Sequence, residues 1–580
     1  MRRSRIVALT GAVALATTAL GGTTATAALH TTPTASASST ATAGSGTYVV
    51  LADRGADVRA IADALRKSGA TVTSVNTDIG LISVRSGSAG FLKTARALSG
   101  VKAAANDGVV GRSPDAGRVQ DRVLKEHHAS PSRSSGSGKA AKKGAKADPL
   151  DASLWDMTMI GVPQAHQVEL GNKKVKVGVM DTGLDGTHPD IAPNFDAKAS
   201  RNFVTDMTDI DGDVCEHPSC IDPVNEDDNG HGTHTAGTMA AALNGIGMSG
   251  IAPNVTLVNV RAGQDSGYFF LSPTVNALTY SGNAGLDVVN MSFYVDPWLY
   301  NCKGGAPEDT PEQAAEQDVI IEAMNRALDY AHAKGVTLVA ALGNNNEDIS
   351  NPRPDTSSPD YPGGTEHLRT IDNSNCLDLP VEGPNVIGVS SLGPSGKKAD
   401  YSNYATDLTS GELEVSAPGG WFRDGFGTPT YRTNENLILS TAPLNVMQEE
   451  GQVDADGNIT DLGASLGTTK SCGKVKGKTV CGYYQYLQGT SMASPHAAGV
   501  AALAVSAHGK SQGRSGFGLA PDKVRALLMG TATDHACPTP PLQSYAAEGR
   551  PATFDALCTG TEDFNSFYGD GIVNALGVVR

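Results

Sequence analysis

At 580 residues, with 39% hydrophobic and 18% charged, the chain is long enough for a large buried core and too ordinary in composition for a disordered or fibrous protein. Charge is unevenly placed: residues 1–150 carry 20 Lys+Arg against 9 Asp+Glu, and the remainder 25 against 52. So acidic a body argues against a nucleic-acid partner, and no apolar stretch is long enough to predict a membrane anchor.

In chain order, Arg2, Arg3 and Arg5 precede an apolar stretch over 6–20 and then Ala25-Thr26-Ala27. Basic start, short apolar middle and small-residue end predict a secretory signal peptide over 1–27, hence a secreted, extracellular protein. Residues 28–46, rich in Thr, Ser and Ala, are expected to be disordered. From there the pattern sharpens into strand (48–51), amphipathic helix (58–67), two strands (71–75 and 81–84), helix (91–98) and strand (101–110). This β-α-β-β-α-β order over 47–111 predicts a small ferredoxin-like α+β module. The Ser/Gly/Lys tracts of 112–149 predict an exposed, basic, flexible linker.

Beyond the linker, 175–180, 255–260, 286–291, 336–341 and 386–389 are short, nearly all-apolar runs. Strands covered on both faces read this way, so the body over 150–580 is expected to be a doubly wound α/β domain on a parallel sheet. Helices are predicted near 232–243, 273–281, 318–334, 491–507 and 522–529, with surface loops at 203–229, 296–316, 346–384 and 419–487. All eight cysteines lie in this body, and an even count in an exported chain predicts disulfides. Local pairs Cys215–Cys220, Cys472–Cys481 and Cys537–Cys558, leaving Cys302–Cys376, are one connectivity among those that eight cysteines allow.

Three stretches carry chemistry. Asp181-Thr182-Gly183 follows the first body strand, where functional groups gather in open α/β sheets. Asn229-Gly230-His231-Gly232-Thr233-His234 opens a helix. Gly489-Thr490-Ser491-Met492-Ala493-Ser494-Pro495-His496 opens a helix whose every face is small or apolar, with Pro495 expected in its first turn. A serine there sits where unpaired N–H groups favour a developing anion. A hydroxyl becomes a nucleophile only beside a base, and a buried carboxylate must fix the imidazole tautomer. An isolated serine in that position would be an N-cap; an aspartate and a histidine at comparable Gly-rich turns change the reading.

With Val179-Met180-Asp181-Thr182-Gly183, His188-Pro189-Asp190, His231-Gly232-Thr233-His234 and Gly489-Thr490-Ser491-Met492-Ala493-Ser494-Pro495-His496 in that order, the chain resembles the subtilases, subtilisin-type serine proteases. The resemblance runs from about 150 to the closing Tyr568-Gly569-Asp570-Gly571-Ile572-Val573-Asn574-Ala575. It implies a subtilisin-like fold, polypeptide substrates, Asp181 as orienter, His231 as general base and acid, and Ser491 as nucleophile. Val339-Ala340-Ala341-Leu342-Gly343-Asn344 resembles the family's oxyanion segment, implying Asn344 as a donor, with Asn345 and Asn346 one and two residues away. Substrate contacts are implied at Ser292, Phe293 and Tyr294 and at Ala341, Leu342 and Gly343. Phe293-Tyr294 replaces the usual Leu-Gly, which would narrow the cleft.

The resemblance also implies no cofactor for catalysis but a structural calcium ion held by Asp151, Asp190, Asn244 and the carbonyls of Ile246 and Met248, since hard Ca²⁺ takes such oxygens. His188 and His496 are expected to be structural, and the acidic runs at 209–213 and 454–457 to be surface turns. The 47–111 module resembles the family's propeptide, an intramolecular chaperone and inhibitor; a monomer is expected. Three readings remain: a secreted endopeptidase made as a zymogen, an exopeptidase of the same family releasing short N-terminal peptides, and an inactive binding homologue. No member of the Asp-His-Ser set is lost, which weighs against the last.

Overall fold

Apolar runs with no polar face form stable strands only where helices cover both sides of a sheet. The computed structural model describes residues 46–107, 147–211, 214–358, 367–511 and 516–580. The expected signal peptide and all but the last residue of the segment after it, and most of the linker, lie outside the described residues.

The first described unit runs β1 (Gly46–Ala52), α1 (Val58–Lys67), β2 (Thr71–Asn76), β3 (Leu81–Ser86), α2 (Phe91–Arg96) and β4 (Val101–Asn106). Its strands order as β2-β3-β1-β4, with antiparallel pairs throughout. The Asp57 carboxylate starts α1 by accepting the N–H groups of Arg59 and Ala60. Period-two alternation splits the sheet's side chains between two cores. Val50, Ala52, Ile82 and Val84 face α1 and α2. Val49, Leu51, Ile79 and Leu81 join one apolar cluster with residues of the large domain.

That large domain is built on a seven-stranded sheet: β5 (Lys176–Met180), β6 (Arg201–Asn202), β7 (Thr256–Arg261), β8 (Val288–Met291), β9 (Thr337–Ala341), β10 (Val386–Leu392) and β11 (Val415–Pro418). Its order is β11-β10-β9-β8-β5-β7-β6, and every pair is parallel. The helices that position the site are α3 (His231–Ala240), α4 (Leu271–Ala284), α5 (Pro311–Ala333) and α6 (Thr490–His508). Helix α5 starts seven residues before the predicted 318, because Thr310 and Gln313 form a capping box with Pro311 in the first turn.

The small unit sits on α4 and α5. Asn76 Nδ2 donates to Asn276 Oδ1 (3.0 Å) and Thr279 Oγ1 (2.8 Å). Arg326 Nη1 donates to the carbonyls of Ala52 (2.8 Å) and Ile79 (3.0 Å), and Ser272 Oγ to Asp107 Oδ2 (2.9 Å).

Two predicted loops are not loops. Residues 438–442, 469–475 and 478–487 form a three-stranded antiparallel sheet inside the 419–487 insert, with Cys472 opposite Cys481. Its tight turn uses Lys476 and Gly477 at positive φ, a pair that carries none of the Asn-Gly or Asp-Gly signal that marks such hairpins. In the 296–316 insert, Trp298, Tyr300 and Cys302 are buried, and 301–302 pairs with 376–377. The disulfides are Cys215–Cys220, Cys302–Cys376, Cys472–Cys481 and Cys537–Cys558.

Candidate active site

Asp181 follows the last residue of β5, and His231 is the first residue of α3. The two are joined by His231 Nδ1 and Asp181 Oδ1 at 2.7 Å, both fully enclosed. Asp181 also accepts the Thr182 N–H (2.8 Å) and the Thr235 hydroxyl (3.2 Å), so its orientation is fixed from three directions. Such an approach requires a glycine next to the histidine: a Cβ on Gly232 would stand 2.1 Å from the Gly183 carbonyl oxygen. Asp227, which sequence reasoning passed over, ties both elements together. Its Oδ1 takes the Thr182 hydroxyl and the Gly230 N–H, while Oδ2 takes the Thr233 N–H and hydroxyl at the start of α3. An Asp just before a helix is a recognisable cap signal, hidden here in an acidic run.

Burial pushes the His231 imidazole down, and the Asp181 carboxylate more than offsets this, leaving it above its ordinary value. His231 Nε2, the nitrogen away from Asp181, is buried and unpartnered among the described residues. His234, three residues on, turns its Nε2 to the Ile438 carbonyl, and burial lowers it to about 3.

Helix α6 is buried from Thr490 to Ser506 except at Ser491. Pro495 is its sixth residue, not in its first turn as expected, so the missing N–H leaves the Ser491 carbonyl without a helical donor. Ser292 supplies one: its Oγ donates to that carbonyl (3.1 Å) and bonds Ser494 Oγ at 2.7 Å. The helix end is thereby fixed on the strand-end segment after β8. Ser491 Oγ donates to the Ser292 carbonyl at 3.3 Å, so the serine–histidine hydrogen bond is not made in this arrangement. Such bonds commonly tighten only when substrate arrives.

Asn344 lies just past β9. Its Oδ1 accepts the Thr490 N–H (2.8 Å) and hydroxyl (2.9 Å), which require an oxygen there and so turn the amide nitrogen the other way. No acceptor among the described residues meets that nitrogen. Asn345 is exposed, and Asn346 is buried and bonded to Lys398, so neither competes for the position. Gly343 N–H donates to Thr490 Oγ1 (3.1 Å), aligning Ala341, Leu342 and Gly343 beside the serine. On the opposite segment Phe293 stacks on Phe269 at 4.0 Å and Tyr294 packs against Leu299, Tyr300 and Cys376. The bulk of both rings is thus engaged in packing.

The residues expected to hold calcium meet, but the side-chain oxygens of Asp151, Asp190 and Asn244 face hydrogen-bond donors. Asp190 takes the Tyr484 hydroxyl (2.7 Å), the Met248 N–H (3.1 Å) and Asn244 Nδ2 (3.1 Å). Asn244 Oδ1 takes the Ile246 N–H, and Asp151 takes the Ser249 N–H and hydroxyl. Asn244 offers Asp190 its amine rather than its oxygen, and a Cβ on Gly247 would meet the Tyr484 hydroxyl at 1.7 Å. A ring of free oxygens is what a calcium ion needs, and the side-chain oxygens of Asp151, Asp190 and Asn244 are engaged by donors instead. Tyr484→Phe is expected to lower stability by about 1–3 kcal/mol, because it leaves a buried carboxylate oxygen short of a donor. Thermal melts with and without chelator check this: an equal loss in both marks a loop closed by hydrogen bonds alone. His188 and His496 are structural, the latter bridging the Met492 carbonyl and Asp156 Oδ2.

The described residues offer a hydroxyl at a helix start, an amide bonded to the residue before it, and an imidazole with one nitrogen fixed by a carboxylate and the other unpartnered. That set supports acyl transfer through an oxyanion. The subtilase family model matches residues 172–549. Subtilisin DY of Bacillus licheniformis is 28% identical over 379 residues, 64% of this chain and 91% of its own. Subtilisin Savinase of Lederbergia lenta is 27% identical over 327 residues, 55% of this chain and 94% of its own. Among solved structures, an epidermin leader peptide processing serine protease from Staphylococcus aureus superposes with TM-score 0.57 at 19% identity, over 92% of this chain and 98% of its own. Fervidolysin from Fervidobacterium pennivorans, a keratinolytic enzyme, gives 0.53 at 21%, over 92% and 61%. Fold, family model and relatives agree, and the chain belongs to the subtilase family of serine proteases.

Proposed function

We propose that the chain is an exported endopeptidase made as a zymogen, in which Ser491 attacks the scissile carbonyl and His231 takes its proton at Nε2. Asp181 holds the imidazole in the tautomer that leaves this nitrogen free, and stabilises the imidazolium once it forms. The oxyanion is held by the Asn344 amide and the Ser491 N–H at the start of α6, where the helix dipole adds to both. His231 then returns the proton to the leaving amine; water repeats the cycle on the acyl-serine. What supports this reading is the enclosed 2.7 Å pair of His231 and Asp181, together with Ser491 as the one residue of Thr490–Ser506 that is not buried.

The test is a pH profile. Only neutral His231 accepts the serine proton, and its value is raised, so kcat/KM is expected to fall as pH drops through a value above the ordinary ~6.5. An acid limb centred below ~6 removes His231 as the base. N-terminally blocked peptides separate the two peptidase readings, since an endopeptidase cuts them and an enzyme that counts from a free N-terminus does not. Among the described residues no helix is long and apolar enough to cross a membrane, which is compatible with export.

A further inference from the structure

A carbonyl attacked by Ser491, with its oxygen toward Asn344, lies between two backbone segments. One is Ser292–Tyr294, whose Ser292 carbonyl accepts the Ser491 hydroxyl; the other is Ala341–Gly343, whose Gly343 N–H donates to Thr490. The substrate side chain on the acyl side of the scissile bond enters the space between them. A third segment closes that space. Leu379 accepts the Val295 N–H at 2.9 Å, and the Cys302–Cys376 disulfide fixes the strand just before it. Between Cys376 and Leu379 stands Asp378. A Cβ built on Gly343 would be 2.4 Å from Asn403 Nδ2 and 3.6 Å from Asp378 Oδ2, so the carboxylate lies against the residue just before Asn344.

Asp378 is only 3% exposed, and no donor among the described residues bonds its carboxylate. Nearby cations are already taken. Arg353 pairs with Glu347 (2.8 Å), and Arg369 with Asp309 (3.0 Å) and Asp355 (3.5 Å). Further negative charge surrounds the carboxylate, and burial together with Asp355 pushes it up to about 8. A buried carboxyl without a donor is costly unless a cation or a proton meets it.

The geometry points to Asp378 as the residue that selects a basic side chain, Arg or Lys, at the substrate position immediately before the scissile bond. The apolar stem of such a side chain packs between the two walls, and its charged head reaches Asp378, with Arg offering a fork that matches a carboxylate. This inference rests on the endopeptidase reading above and names its substrate class.

The experiment compares blocked peptides identical except for Arg, Lys, Leu, Phe or Glu at that position, with active sites counted by a fluorophosphonate. Wild-type kcat/KM for Arg is expected to exceed that for Leu by at least ~100-fold. Asp378→Asn is expected to bring that ratio below ~10, and Asp378→Glu to keep basic side chains preferred. A wild-type preference for Leu or Phe over Arg overturns the proposal without any variant, and so does a ratio unmoved in fluorophosphonate-reactive Asp378→Asn. A wild type that neither reacts with fluorophosphonate nor cuts any of the peptides instead overturns the endopeptidase reading.

Discussion

Ser491→Ala is expected to lose at least ~10⁴-fold in peptide hydrolysis, because serine, base and orienting acid act as one unit and removing the nucleophile leaves only binding and oxyanion stabilisation. The variant should fold. Ser491 is the partly exposed residue of an otherwise buried helix start, its hydroxyl makes one long bond to the Ser292 carbonyl, and alanine favours the helix. A fluorophosphonate should react once with the wild type and not with the variant. Full hydrolysis by Ser491→Ala would place the nucleophile elsewhere.

The second large effect concerns the small unit over 46–107, which we read as a propeptide. Separately made, it is expected to inhibit the 150–580 domain when mixed with it. Chains lacking residues 1–111 are expected to misfold, since a parallel sheet is rich in non-local contacts and folds slowly without a template. The docking face decides the strength. Val49, Leu51, Ile79 and Leu81 are all buried against the large domain, and burying a side chain of this kind contributes about 1.5–3 kcal/mol. The pairs Arg54–Glu322 (3.8 Å) and Lys102–Glu322 (3.9 Å) are solvent-exposed and add little to affinity. They and the opposite overall charges act on the encounter, so added salt past ~0.15 M should slow the onset of inhibition more than it weakens the final complex. Titrating peptide hydrolysis with the module measures both. An unchanged rate at tenfold molar excess, together with active enzyme from the shortened chain, would make the segment a separate binding domain.

How much of this could be read from the sequence differs by element. The strands ending before Asp181, Ser292 and Asn344 were legible because a strand buried on both faces leaves a nearly all-apolar run. The short Val415–Pro418 strand at the sheet edge carries two polar-flanked apolar residues and no such run, and it was missed. Asp181, His231, Ser491 and Asn344 each stand in an extended motif; the structure pairs Asp181 with His231 and ties Asn344 to Thr490, the residue before Ser491. Asp378 has no motif. Its place beside Gly343 follows from pairing of 376–377 with 301–302, a contact between two inserts that local pattern could not reveal. Pro495 is the sixth residue of α6 rather than in its first turn, although the helix start at 490 is within one residue of the predicted 491. The position matters, since it frees the carbonyl that fixes the nucleophile's helix on Ser292. For the calcium loop the liganding residue types are present, and Tyr484, from a strand nearly 300 residues away, decides how their oxygens are used.

Both faces of the small unit's sheet carry buried apolar side chains: one side lies on its own helices and the other on α4 and α5. If the unit is a propeptide, cleavage in the linker followed by its dissociation would bare two sticky surfaces at once. The released fragment would carry a bare greasy sheet beside the protease that has just been unmasked, and become its ready meal. Maturation of this kind would run in one direction, because the brake would be destroyed as it came off. A mature enzyme so formed would keep the matching apolar face on α4 and α5, and its shelf life should depend on how that face meets water.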